Sequence, residues 1–216
     1  MRALVERYLD RDRALVVGDV GSYDFTGSYR PLFDAPLWSY HGIDLTAGPN
    51  VDVVLESPYK FPFADEHFDV LVSGQAFEHV KFFWLTWMEM VRTLKSGGFI
   101  FLIAPSRGPE HRYPVDCWRF YPDGFRALAE YGGIECLEAR TDWDAYPGAR
   151  GRIWGDTVGA FAKPPHGQVA HAEESARPIV AAHIARAASA ATRHLEGTLR
   201  ALRSGLQRRR SDKRPG

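Results

Sequence analysis

The sequence predicts an α/β fold in which a parallel sheet is covered by helices on both faces. Three observations carry this. Short apolar runs alternate with longer segments of helical period between residues 14 and 161. Glycine, proline or an acidic residue closes most of the runs. The runs are too short for helices and the segments between them long enough to cross over, the pattern of strand–helix–strand units. On such sheets ligands bind at the carboxyl ends of the strands.

Ala14-Leu15-Val16-Val17 is the first strand, closed by Gly18-Asp19-Val20-Gly21. Trp38 to Ile43 is the second and ends at Asp44, and Val51 to Leu55 is a third, shorter stretch. Phe68 to Val72 is the fourth. Trp84 to Leu94 has helical spacing and runs into Lys95-Ser96-Gly97-Gly98, a helix stop. Phe99 to Ala104 is the next strand, ended by Pro105; Asp123 to Tyr131 reads as a helix stopped by Gly132-Gly133. Ile134 to Ala139 and Asp156 to Phe161 complete the set. This domain is expected over residues 1–163, followed by a linker at 164–177. In 178–216 the apolar residues Val180, Ile184, Ala188, Ala191, Leu195, Leu199, Leu202 and Leu206 step by three or four, the stripe of an amphipathic Ala/Arg-rich helix, before a basic tail. Such a stripe needs a cover, which the domain itself, a second subunit or a membrane surface can give; a homodimer, formed partly through this tail, is expected.

Composition narrows the function classes. The chain has 216 residues, 45% hydrophobic and 13% aromatic, which suits a packed core rather than disorder. Formal net charge is zero, so no overall field draws it to nucleic acid or an anionic membrane. No apolar run reaches the roughly 18 residues of a membrane span, and charges interrupt the apolar part of the first nine residues, a poor signal peptide. Cys117 and Cys136 lack metal-ligand spacing and suit a reducing cytoplasm.

The chemistry concentrates at strand ends. The small turn at Gly18-Asp19-Val20-Gly21-Ser22 lets backbone approach a ligand and exposes amides, while the acid accepts from a charged or hydroxylic group. Asp44, ending the second strand, is placed to accept from ribose hydroxyls. A nicotinamide site is expected to show Gly-x-Gly-x-x-Gly, and Gly18, Gly21 and Gly27 do not fit that spacing. After the fifth strand, Pro105 to Pro122 mixes His111, Glu110, Asp116 and three arginines with Tyr113, Trp118, Phe120 and Tyr121. Aromatic faces beside hydrogen-bonding charges suit a sugar, as well as other polar substrates. His111 is the first candidate for a general base, Asp116 the second, as a base or as the group that orients His111, and His79 the third.

Three segments in order carry a family resemblance: Tyr59 to Val72 with Pro62-Phe63-Ala64-Asp65-Glu66-His67-Phe68-Asp69, then Phe77-Glu78-His79-Val80, then Met90 to Gly98 with Leu94-Lys95-Ser96-Gly97-Gly98. Over roughly residues 10–163 the chain resembles the class I S-adenosylmethionine (SAM)-dependent methyltransferases. The resemblance implies a Rossmann-like, mostly parallel seven-stranded sheet with the last strand antiparallel. It implies SAM as cofactor, with Asp19, Gly21 and Ser22 at its methionine end and Asp44 on its ribose. Leu55, Glu56 and Ser57 fall at its adenine, and Ser73, Gly74 and Gln75 beside its sulfonium. Tyr23 and Asp24 stand where the family's first motif carries further glycines.

The patterns at 19–24, 111–123 and 154–159 are similar to small bacterial methyltransferases of polysaccharide biosynthesis, among them sugar 1-O-methyltransferases of methylmannose assembly. This implies an oligosaccharide acceptor, the 1-hydroxyl of a short methylated mannoside, contacted by Tyr113, Trp118, Arg119 and Tyr121. It also implies a possible Mg²⁺ requirement, for which Asp116, Glu110 or Asp144 offers oxygen ligands. Three alternatives stand beside it: an RNA methyltransferase anchored by the basic tail, a small-molecule or lipid methyltransferase with a pocket of Trp84, Trp87 and Trp118, and a non-catalytic assembly protein of the same fold.

Overall fold

The computed structural model describes residues 1–25, 27–142 and 153–165. Asp144, the rest of the linker and the amphipathic stripe lie outside the described residues. Seven strands form one sheet in the order β3-β2-β1-β4-β5-β7-β6. They are β1 (Leu15–Val20), β2 (Trp38–Asp44), β3 (Val53–Val54), β4 (Phe68–Gly74), β5 (Leu94–Arg107), β6 (Glu135–Asp142) and β7 (Gly155–Ala162). The pairs among β1 to β5 are parallel, and β7 runs antiparallel to both neighbours. This is the Rossmann-like methyltransferase sheet the sequence implied.

The central strands are buried on both faces, so consecutive residues feed different cores. Leu71, Ile100 and Leu102 pack with Trp87, Met90, Phe125 and Leu128, which come from α2 (Phe83–Thr93) and α3 (Pro122–Gly132). Val70, Val72 and Phe101 pack on the other face with Leu4 and Val5 of α1 (Arg2–Tyr8) and with Phe33 of a short 3₁₀ turn, Arg30–Phe33. Each buried Leu, Ile or Phe contributes roughly 1.5–3 kcal/mol of burial free energy.

Several boundaries differ from the sequence reading for physical reasons. β1 continues through Gly18-Asp19-Val20, because the turn begins only at Gly21, whose φ is 82°. The helix α2 ends at Thr93 with an extended residue, Leu94, before the expected glycine stop. Lys95 to Gly98 instead form an irregularity at the start of β5, where pairing with β4 slips between Phe68–Leu94 and Val70–Phe99. Pro105 does not end β5, which runs on to Arg107 with a register shift at that point. α3 does stop as expected: Gly133 is left-handed (φ 65°) and its N–H caps Ala129 and Glu130. Trp87 is fully buried against Phe161, so it cannot line the pocket that the small-molecule or lipid alternative builds from Trp84, Trp87 and Trp118. Both cysteines are free thiols. No helix among the described residues is long and apolar enough to cross a membrane.

Candidate active site

The carboxyl ends of β1, β2 and β4 open into a cavity of about 1040 Å³ that also reaches residues of the β5–α3 connection. Its first half is built by β1 and β2. Asp19 ends up 2% exposed at the cavity wall, where Tyr40 donates its hydroxyl to Oδ2. Burial is the main reason its carboxyl is pushed up to about 7; the Tyr40 hydrogen bond and Arg30 act in the opposite sense. Arg30 lies over the Tyr40 ring at 4.4 Å and bonds Asn50 and Asp52. Asn50 in turn donates to the Ser22 carbonyl at 2.9 Å, so one polar network holds the turn.

The turn amides are not exposed as the sequence suggested. Gly21 and Ser22 N–H both go to the Ile43 carbonyl, at 2.9 and 3.2 Å, and Tyr23 N–H goes to Asp44 Oδ2 at 3.1 Å. Asp44 Oδ1 accepts from Thr46 N–H, also at 3.1 Å. Each carboxylate oxygen has a second lone pair, which leaves Asp44 able to accept from hydroxyls. Leu45, Leu55 and Pro58 add an apolar wall beside it. The backbone is pressed close where a ligand would pass: a Cβ on Gly21 would stand 2.4 Å from Ala76 Cβ. A buried anion, a hydroxyl acceptor, an apolar wall and a side-chain-free turn fit the ammonium, ribose and adenine of SAM, and the cavity lies at the upper end of ordinary ligand-site volumes.

The second half is a corner of Glu78, His79 and His111. Glu78 and His79 sit on a 3₁₀ turn, Phe77–His79, just after β4; His111 is carried by the β5–α3 connection. His79 Nδ1 lies 2.5 Å from the Val115 carbonyl oxygen. A carbonyl only accepts, so Nδ1 bears the hydrogen and Nε2 the lone pair of the neutral ring. His111 Nδ1 is likewise 3.3 Å from Asp116 Oδ2 and 3.3 Å from the Pro109 carbonyl. The two Nε2 atoms face the same oxygen, Glu78 Oε1, at 3.6 Å from His79 and 3.9 Å from His111. Glu78 is 0% exposed and neither carboxylate oxygen finds a hydrogen-bond partner in another residue; burial pushes its carboxyl up to about 7, while its own backbone N–H and the charge of Arg119 act in the opposite sense. Burial also holds His79 below the usual imidazole value. Asp116 is held well below the usual carboxylate range, first by Arg119, whose two terminal nitrogens grip it at 2.5 and 2.8 Å.

The structure brings together at the cavity Asp19, Gly21, Ser22, Asp44, Gln75, His79, His111 and Tyr113 of the expected residues, along with Leu55 and Gly74. It does not bring Ser73 there. Ser73 is buried and donates to the Val20 carbonyl at 2.7 Å, tying β4 to β1. Ser57 and Glu56 are outside the cavity wall, and the Ser57 hydroxyl accepts from Tyr59 N–H. Asp116 stands behind His111 instead of facing the cavity. Trp118 donates to the Val80 and Lys81 carbonyls at 3.1 and 3.2 Å, Arg119 serves Asp116, and Tyr121 caps α3; none of the three lines the cavity. Glu110 is exposed and paired with Arg112, so the expected oxygen-ligand set is not assembled among the described residues.

Sequence reasoning did not single out Tyr40, Phe25 or Trp154. Phe25 bridges Tyr23 (4.4 Å) and Tyr113 (5.5 Å) in an aromatic lip, and Trp154 meets the His111 ring edge-on at 5.0 Å. The Phe77-Glu78-His79 motif was visible, but a sequence does not show that Glu78 is buried without a partner.

Comparison with known proteins agrees with this geometry. The methyltransferase domain family model matches residues 25–102. A SAM-dependent methyltransferase from Methanosarcina mazei superposes with a TM-score of 0.58 at 16% identity, covering 76% of this chain and 98% of that one. A phosphoethanolamine N-methyltransferase 2 from Haemonchus contortus, in complex with SAM, has a TM-score of 0.54 at 13% identity over 75% of this chain and 51% of its own. The [4+2]-cyclase SpnF has a TM-score of 0.58 at 14% identity over 76% and 80%, so the fold alone does not dictate the reaction. A search of curated proteins gives no significant match. The domain match over residues 25–102 and the shared Rossmann-like fold are what this chain has in common with these methyltransferases.

Proposed function

We propose that the chain is a SAM-dependent O-methyltransferase whose acceptor is a sugar hydroxyl, the 1-hydroxyl of a short methylated mannoside in polysaccharide biosynthesis. The observation that carries this reading is the meeting, in one cavity, of the Asp19–Asp44 half with an imidazole pair framed by exposed aromatic rings. When bound, SAM supplies an electrophilic methyl group. Asp19 holds its ammonium and Asp44 its ribose hydroxyls, beside the tight turn at Gly21. Tyr23, Phe25 and Tyr113 offer ring faces to the C–H face of a pyranose, and Tyr113, at 60% exposure, is free to do so. His111 and His79 activate the acceptor hydroxyl, with Asp116 fixing the ring of His111. Orientation of the reacting groups accounts for up to roughly 7–11 kcal/mol of barrier lowering.

The test is transfer from labelled SAM to a panel of mannose, methylated mannobiosides, a lipid extract and total RNA. Labelling of a methylated mannobioside, and its loss when the reducing-end hydroxyl is blocked, is the expected result. Labelling of lipid or RNA in its place would refute the sugar reading.

A further inference from the structure

We propose that Glu78, His79 and His111 form a binding site for one divalent first-row transition-metal ion at the acceptor end of the cavity. Their ligand atoms all lie within 4.8 Å of one another. The orientation of each group argues for more than proximity. Both imidazoles turn Nε2, the atom left with a lone pair, toward Glu78 Oε1, at 3.6 and 3.9 Å. An ion bonded at about 2.1 Å to three such atoms in tetrahedral geometry holds them about 3.4 Å apart. The two nitrogen–oxygen distances need to close by a few tenths of an ångström, and the two imidazoles, whose ligand atoms lie within 4.8 Å, by up to about 1.4 Å.

The groups behind the ligands match as well. Metal-bound histidines donate their second ring N–H to a carbonyl or carboxylate, which fixes the tautomer. His79 has the Val115 carbonyl in that place and His111 the Pro109 carbonyl, with Asp116 Oδ2 beside the same nitrogen at 3.3 Å and accepting from the His111 backbone N–H. Asp116 is itself gripped by Arg119, so the support of His111 is anchored in turn. Glu78 completes the case. A fully buried carboxylate with no hydrogen bond from another residue on either oxygen is costly unless something occupies it. Among the described residues no Lys or Arg donates to it, and Arg119 spends its terminal nitrogens on Asp116 and backbone carbonyls.

The donor set selects the ion. Two imidazoles and one carboxylate suit Mn²⁺, Co²⁺ or Zn²⁺, whereas Mg²⁺ prefers an all-oxygen shell. His79 and His111 line the cavity while Glu78 lies behind them, so coordination positions toward the cavity stay open. This deepens, and rests on, the reading of the cavity as a methyltransferase site. Positive charge there acts on the acceptor oxygen as a Lewis acid. With the ion bound, the two imidazoles would act on the hydroxyl through it and not as bases: the O–H bond breaks, with the proton passing to solvent. The oxygen forms the new O–CH₃ bond, and the S–CH₃ bond breaks with its electron pair going to the departing neutral thioether.

The experiment uses the full chain, stripped with a chelator, dialysed and titrated with Co²⁺ alone, without SAM or sugar. Visible absorption and calorimetry should report one ion per chain, not displaced by millimolar Mg²⁺. Glu78→Gln and His111→Asn should each weaken binding about tenfold or more, whereas His67→Asn, at the far end of β4, should leave it unchanged. No uptake, ready displacement by Mg²⁺, or uptake unchanged in both site variants overturns the site. Should a variant fail to fold, the wild type decides alone: Co²⁺ should shift two exchangeable imidazole N–H resonances far downfield, and their absence overturns the proposal. If Co²⁺ binds as expected but no mannoside is methylated, the acceptor reading fails and the metal site stands. If the chelator-stripped enzyme methylates a mannoside at full rate, the metal proposal fails and the acceptor reading stands.

Discussion

The two halves of the cavity differ in how their buried polar groups are satisfied. At the ends of β1 and β2 almost every polar atom has an internal partner: Tyr40 for Asp19, two backbone amides for Asp44, the Asn50 carbonyl for Ser22. At the corner beyond β4, Glu78 has none in another residue. A satisfied network is rigid before any ligand arrives, so binding there loses little to reorganisation. An unsatisfied buried carboxylate keeps its interaction free energy for something from outside. The first half is a finished mould, and the second is unfinished without a ligand.

The strongest way to break this contrast is Gly21→Ala. The residue has φ 82° and its new Cβ would meet Ala76 Cβ at 2.4 Å. On the order of 2–4 kcal/mol of stability should go, together with most SAM affinity. Calorimetry and thermal melts check it, and a variant that melts and binds like wild type would show that the turn is not preformed.

Next comes pH. The Asp19 carboxyl stands at about 7 in the fold against 3.8 when unfolded. The fold therefore holds this proton more tightly than the unfolded chain. The associated stability is complete below about pH 4 and is lost as pH rises through 7. SAM affinity should run the other way, falling up to about tenfold per unit below pH 7 because its ammonium needs the carboxylate. Asp19→Asn should raise the melting temperature at pH 8 and flatten the pH dependence of SAM binding. Parallel slopes for stability and affinity would contradict the assignment.

A smaller effect sharpens the other half. Asp116→Asn should lower turnover about 10–100-fold with SAM affinity within about twofold, because Asp116 acts through His111. Equal losses in both would place Asp116 in general folding. Smallest of all, Ser73→Ala should cost about 1 kcal/mol of stability and leave SAM affinity alone. A large loss of affinity would restore Ser73 to the cofactor site.

The sheet was legible because its strands are apolar runs bounded by turn residues, and the family motifs at 59–98 fall on the approach to β4, β4 itself, the 3₁₀ turn Phe77–His79, the end of α2 and the start of β5. The helix α1 was not, because Arg2, Glu6 and Arg7 interrupt an apolar face that only two residues, Leu4 and Val5, bury deeply. Ser73 was misplaced for a related reason. A strand buried on both faces shows no alternation, so the sequence does not reveal whether Ser73 faces ligand or sheet. Trp118, Arg119 and Tyr121 looked like one aromatic and basic surface together with Tyr113. Cys117 N–H bonds the Glu78 carbonyl at 2.7 Å, and the residues of this connection that line the cavity, 111 to 114, all precede it.

The β5–α3 connection has an evolutionary consequence. His111 is framed by Asp116 and Arg119, and Arg119 also bonds the Pro109 carbonyl at 3.0 Å, so both feet of the loop are tied to each other. The tip between them, Arg112, Tyr113 and Pro114, is exposed and lines the cavity. Mutations at the tip can accumulate without disturbing the frame, much as a hypervariable loop varies on a constant scaffold. A library randomised at these three positions would sample new acceptors while keeping the reactive corner intact, which makes the tip the natural starting point for directed evolution of acceptor choice.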